Sequence, residues 1–191
     1  MLRLSNDDCR TLLTRARHAI LKTVVHQRIP DFEEPAGPLA DPSGAFVTIY
    51  VRGRLRGCVG RTDRNSPLAE TVVQCAINAA LHDPRFAPLA ESDVHELEIE
   101  LSILSELQPI SRRAIEIGRH GLLVRAGERR ALLLPQVAVE RQWSVERFLE
   151  EVCRKAGLAL RAWRDPQAQL FGFTVEAFSE ADFRVGYSSS T

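Results

Sequence analysis

The sequence predicts an α+β fold: largely antiparallel β-sheets flanked by helices. Three observations carry the prediction. Residues 46–60 and 121–137 read as hairpins with glycine near their turns. Residues 96–105 alternate, with Leu97, Ile99, Leu101 and Ile103 on one face and Glu96, Glu98, Glu100 and Ser102 on the other. Helical patterns interleave with these hairpins, which favours antiparallel pairing with helices laid against the sheet.

The first helix is expected over residues 6–26, where Leu12, Leu13, Ala16, Ile20 and Val24 recur at three- and four-residue steps. Residues 29–44 hold Pro30, Pro35, Gly37, Pro38, Pro42 and Gly44 and read as an ordered surface loop, long enough to cover a site. The first hairpin turns near Arg52-Gly53-Arg54, and its register follows from its faces. A two-residue turn would pair Val51, Ile49 and Val47 with Arg54, Arg56 and Cys58, mixing apolar and charged side chains. A three-residue turn pairs them with Leu55, Gly57 and Val59 instead, so that turn is expected. Leu55, Gly57 and Val59 then point to the core. Arg56 and Cys58 share the opposite face with Thr48 and Tyr50.

A second helix is expected over residues 67–81, with Ser66 as N-cap, Pro67 at its first position and Leu68, Val72, Cys75, Ala76 and Ala79 buried. Asp83-Pro84-Arg85-Phe86-Ala87-Pro88 ends it. The second hairpin pairs residues 122–125 with 130–134 around Ala126-Gly127-Glu128, and Pro135 stops it. Ser144 caps the next helix, with Trp143 and Phe148 at staple positions, Lys155 in the last turn and Gly157 at its end. Residues 170–178 form a closing strand and residues 184–191 a flexible tail. At 191 residues the chain is expected to be a single domain, 1–191, with room for two subdomains.

Composition narrows the function classes. Hydrophobic residues make up 45% and charged residues 26%, ordinary values for a globular protein. The formal net charge is +0, so no global field draws the chain to nucleic acid or an anionic membrane. Cys9, Cys58, Cys75 and Cys153 form no C-x-x-C pair, and the spacing is neither a disulfide framework nor a zinc finger. The N-terminus turns acidic at Asp7-Asp8 with no apolar run, and no stretch approaches the ~18–20 apolar residues that span a bilayer. A cytoplasmic protein with reduced thiols and no membrane partner is expected.

The segment with the most chemistry is Leu55-Arg56-Gly57-Cys58-Val59-Gly60. Glycines in a strand mark a bulge or a close approach to the backbone. Arg54 and Arg56 precede Cys58 at two-residue steps, and cations favour the thiolate that a nucleophilic or redox-active cysteine needs. Against that stands a plain reading: free cysteine is among the most buried residue types, and Gly57 then merely makes room for a neighbour. Arg52, Arg54, Arg56, Arg61 and Arg64, against Asp63 alone, suit a small anionic substrate or a charged strand edge. They lack the aromatic series of a nucleic-acid surface, which is not expected. His82 could act as base for Cys58 if the fold joins them; at a helix C-terminus it also suits the helix dipole. Asp83 and Arg85 complete that cluster. Glu98 and Glu100 lie on one strand face, a pattern any exposed strand produces, and no ligand motif accompanies them; no metal and no cofactor are expected.

Leu55-Arg56-Gly57-Cys58-Val59-Gly60, Ala79-Ala80, Asp83-Pro84-Arg85-Phe86 and Pro88-Leu89 resemble the signature of the AMMECR domain family. Glu98-Ile99-Glu100-Leu101-Ser102-Ile103-Leu104 is similar to the family's strand. Leu133-Leu134-Pro135-Gln136-Val137, residues 143–149, Cys153-Arg154-Lys155-Ala156-Gly157-Leu158 and Trp163 resemble its C-terminal half. The match runs through nearly the whole chain in order, with Val59 where isoleucine is usual. The resemblance implies a cytosolic α+β fold centred on Arg56, Gly57, Cys58 and Gly60. It further implies a place like that of protein A in three-gene systems, beside a Memo-like protein and a radical-SAM protein.

Overall fold

The computed structural model describes residues 3–183; the expected tail at 184–191 lies outside them. In chain order the elements begin with α1 (Asn6–His26), β1 (Ala45–Val51), β2 (Arg54–Arg61), α2 (Leu68–Leu81) and β3 (Leu97–Leu104). They continue with β4 (Gln108–Pro109), β5 (Gly121–Ala126), β6 (Arg129–Leu133), α3 (Pro135–Glu140), α4 (Val145–Lys155), β7 (Gln169–Phe173) and β8 (Val175–Ser179). Two compact units result, one of residues 3–103 with 176–183, the other of Leu104–Val175. Each is built on a four-stranded sheet, ordered β2-β1-β3-β8 and β4-β7-β5-β6. The strand pairings described are antiparallel, so the fold is α+β.

In the first unit, α1 starts with a capping box: Ser5 Oγ accepts the Asp8 N–H and the Asp8 carboxylate accepts the Ser5 N–H. Leu12, Leu13, Ala16 and Ile20 are buried as their spacing requires, against Val47 and Ile49 of β1 and Ile99 and Leu101 of β3. The same core takes Leu68, Val72, Cys75, Ala76 and Ala79 of α2. Ser66 is not the cap of α2. Pro67 holds that position and the Leu68 N–H donates to the Asp41 carbonyl at 3.0 Å. An isolated bridge between Pro42 and Pro67 brings the proline loop to the helix start, so loop backbone replaces the serine.

The first hairpin corrects the turn. Arg52 and Gly53, at φ 52° and 69°, form a two-residue turn with both central residues left-handed, and Val51 pairs with Arg54. Tyr50 then pairs with Leu55 but Ile49 with Gly57, so Arg56 is the extra residue of a bulge. Beyond it Val47 opposes Val59 and Thr48 opposes Cys58, the register expected from the faces. The bulge supplies the offset that a third turn residue was expected to give. Leu55 lies before the bulge, is 40% exposed and does not join the core.

In the second unit Ser144 caps α4 by accepting the Arg147 N–H, and Phe148, Leu149 and Val152 bury against Leu122 and Val124 of β5. Pro135 stops β6 and also opens α3, a helix the sequence reading lacked; proline fits a first turn whose N–H is spare anyway. The expected strand at 170–178 is two strands. Thr174 separates them, its N–H donating to Ser105 Oγ and its C=O accepting from the Ser105 N–H, both at 2.9 Å. With those groups bound to Ser105, the ladder breaks, and β7 and β8 join different sheets.

Candidate functional site

β2 is an edge strand, and at Cys58 its backbone turns toward the free side of the sheet. The Cys58 N–H donates to Asp83 Oδ2 at 2.8 Å, and the Cys58 C=O accepts from Arg85 Nη2 at 3.0 Å. Asp83 and Arg85 are themselves joined: Nε of Arg85 lies 3.0 Å from Oδ1 and Nη2 lies 2.7 Å from Oδ2. An ion pair thus makes the two hydrogen bonds that another strand would have made. Local sequence explains how it arrives there. α2 ends at Leu81, and a turn closed by Phe86 N–H to Asp83 C=O and Leu89 N–H to Ala80 C=O folds the Asp-Pro-Arg segment back onto β2.

The charge state follows from the contacts. Asp83 is only 5% exposed, and the Arg85 guanidinium holds its carboxyl far below the usual carboxylate range, with the Cys58 and Arg85 N–H groups assisting and burial opposing. The hydrogen bond to Asp83 likewise raises the pKa of Arg85. The Cys58 sulfur lies 3.4 Å from Thr48 Oγ1 within hydrogen-bond geometry. Cys58 is half-buried, whereas Cys9, Cys75 and Cys153 are buried. Burial pushes the thiols of Cys9 and Cys75 up to about 11 and that of Cys153 upward. By accessibility, Cys58 is the thiol placed to meet another molecule.

Both glycines of the motif have a packing reason. A Cβ on Gly57 would stand 2.0 Å from the Ala79 carbonyl oxygen, so α2 rests directly on β2 there. A Cβ on Gly60 would meet the Phe46 ring at 2.2 Å; the ring of the cross-strand partner lies over the glycine. The Gly57 contact could not be read from sequence. A glycine opposite an aromatic residue across a hairpin was a readable signal for Phe46.

The fold gathers some of the sequence-derived residues and disperses others. Cys58, Thr48 and Glu100 form one row across β2, β1 and β3, and Leu55, Tyr50 and Glu98 form the next. Adjacent strands lie ~4.8 Å apart, so Glu100 starts roughly 10 Å from Cys58. Arg56 turns to Asp93 at 3.6 Å and the Ala87 carbonyl at 3.5 Å; Asp93 was not anticipated, and nothing in its sequence setting marks it. His82 is the exposed C-cap of α2, and the hydrogen bonds described for Cys58 come from Thr48, Asp83 and Arg85, not from the imidazole. Arg52 pairs with Glu96 and Arg61 with Asp63, so much of the arginine run is neutralised within the chain. Among the described residues no group of three or more His, Cys, Asp or Glu is placed to hold a metal ion, and no helix is long and apolar enough to cross a membrane.

The AMMECR1 family model matches residues 13–178. The chain belongs to the AMMECR1 family. Its relatives include a protein of Methanothermobacter thermautotrophicus, 36% identical over 187 residues, covering 93% of this chain and 96% of the relative. Another is protein MK0488 of Methanopyrus kandleri, 37% identical over 190 residues, covering 94% and 92%. The crystal structure of the uncharacterized protein PH0010 from Pyrococcus horikoshii superposes with a TM-score of 0.82 at 36% identity, over 88% of this chain and 89% of that one. These matches span both units, so the Cys58 edge and the second sheet are parts of one family fold.

Proposed function

We propose that this AMMECR1-family protein is the cysteine-bearing component of a cytoplasmic modification or redox system, with Cys58 as its reacting group. The observation that carries the reading is the Asp83–Arg85 clamp, which fixes the peptide of a half-exposed cysteine against a guanidinium. Thr48 and Arg85 are the groups that would stabilise negative charge on the sulfur, and Arg56, Tyr50, Glu98 and Glu100 would shape the surface a substrate meets. The partners that the family resemblance implies are Memo-like and radical-SAM proteins. A thiol active in such a system reacts in the folded protein faster than its exposure alone explains. Iodoacetamide labelling followed by mass spectrometry measures this: Cys58 is expected to label first, and Arg85→Gln to slow it about tenfold by removing the nearby charge. Labelling of Cys58 that ignores Arg85→Gln sinks the reading.

A second reading has its own support. Gly57, Gly60, Asp83 and Arg85 all have architectural reasons for being where they are, and these suffice for an adaptor whose motif shapes a surface. Co-purification with a Memo-like or radical-SAM protein that survives Cys58→Ala, with no change in any product the assembly makes, would establish the adaptor.

A further inference from the structure

The last turns of α1 and the loop after it enclose a cleft of about 630 Å³ that the Cys58 site does not use. That volume lies within the range of small-molecule sites. His18, Lys22 and His26 recur at four-residue steps along one face of α1 and line one wall. The other wall is Arg28, Ile29, Pro30 and Asp31. A cationic helix end by itself needs no ligand, because it suits the dipole. Arg28 lies beyond that explanation. It follows Gln27, which ends α1 at φ 53°, in the left-handed region that glycine favours. This cap turns the chain so that Arg28 and the next three residues face back across the helical stripe.

The walls are held in place. Phe32 packs edge-on against His18 with ring centroids 5.7 Å apart, and the Arg15 guanidinium lies 5.2 Å from the Phe32 ring centre. Arg15 Nη2 also donates to the Glu33 carbonyl at 2.9 Å. Among the described residues, Lys22 and Arg28 form no ion pair with Asp31 or any other carboxylate, so the cleft keeps an uncancelled positive charge. Ile29, 62% exposed, adds an apolar patch beside it.

From this the geometry points to a binding site for a small hydroxylated organic phosphate. Donors from Lys22, Arg28 and the two imidazoles approach from both walls, and a phosphate offers them three acceptor oxygens where a carboxylate offers two. Ile29 and Pro30 pack the carbon skeleton, and Asp31, repelled by the phosphate, accepts from a hydroxyl away from it.

Calorimetric titration of the full chain at low salt with ribose 5-phosphate, ribose and inorganic phosphate tests the site. Ribose 5-phosphate is expected to bind saturably and ribose not at all. Lys22→Gln with Arg28→Gln, both at exposed positions, is expected to weaken binding about tenfold or more. Asp31→Asn should weaken ribose 5-phosphate and leave inorganic phosphate unchanged or tighter. The proposal is overturned by absence of saturable binding up to about 10 mM, by binding that ignores the double substitution, or by binding lost on Arg125→Gln with Arg130→Gln. That last pair stands directly opposed on β5 and β6 and is a competing place for an anion.

Discussion

The β1–β2 and β5–β6 hairpins both close on two-residue turns, and in both the second strand lies at the edge of its sheet. They differ in how the edge is finished. β6 pairs with β5 in unbroken register from Leu122↔Leu133 to Ala126↔Arg129. Its edge is covered lightly: Lys155 of α4 donates to the Leu132 carbonyl at 2.9 Å, and Arg129 and Arg130 stay exposed. Charged side chains of this kind are an ordinary defence against edge-to-edge pairing. β2 has a bulge at Arg56, a helix backbone against Gly57, and a carboxylate desolvated to complete one peptide. Burying a carboxylate carries a desolvation cost that exposed lysines avoid. Protection of an edge does not require it, so the difference indicates that the β2 apparatus holds the Cys58 peptide in one position.

The largest expected effect is at the contact between α2 and β2. Gly57→Ala would place a Cβ 2.0 Å from the Ala79 carbonyl oxygen, and only backbone movement can relieve it. A loss of about 3 kcal/mol is expected, read as a lowered urea midpoint by circular dichroism. Gly127→Ala in the other hairpin is the control. Nothing lies within 4 Å of its Cβ, and its φ of +57° alone costs about 1 kcal/mol. Equal losses at the two glycines would mean that α2 does not press on the Cys58 strand.

Next in size is Asp83→Asn, which keeps the shape but removes the charge that holds Arg85. A loss of about 2 kcal/mol near neutral pH is expected, as for a hydrogen-bonded buried charge. The pH dependence carries the signature. Because folding lowers the Asp83 pKa, its contribution is fully present above the unfolded value of about 4 and is lost as pH falls toward the depressed folded value. The difference between wild type and Asp83→Asn should therefore be constant from about pH 8 to 5 and shrink in more acidic buffer. A difference that grows as the pH falls would contradict the clamp.

How much of this was legible depended on whether the determinants were local. The bounds of α1, the Ser144 cap and the face that buries Val47 and Ile49 follow from periodicity and capping chemistry within a few residues. The Thr48–Cys58 opposition was legible too, because an apolar face has to stay apolar. Two of the readings that failed were set by residues distant in sequence. The Asp41 carbonyl displaced Ser66 as the cap of α2, and Ser105 split the strand at Thr174. At the site the sequence marked Cys58 and, as a second cluster for the fold to bring near it, His82, Asp83 and Arg85. That Asp83 and Arg85 act on the Cys58 peptide depends on where the turn after α2 lands, which no local pattern states.

The smallest expected effect is at the other edge. Lys155→Met keeps most of the aliphatic stem and removes the ammonium that donates to Leu132. That bond joins a solvent-exposed cation to a backbone carbonyl, where water is an adequate substitute, so the loss should be about 0.5 kcal/mol. The charge also sits in the last turn of α4, and losing its interaction with the helix dipole adds a few tenths more. Both contributions weaken with salt, whereas the Asp83–Arg85 clamp has one buried partner and should resist screening. Urea midpoints of Lys155→Met and Asp83→Asn at low and high salt check this. If Lys155→Met costs as much as Asp83→Asn, or if the two respond alike to salt, the edges are equivalent and the clamp on Cys58 loses its distinction.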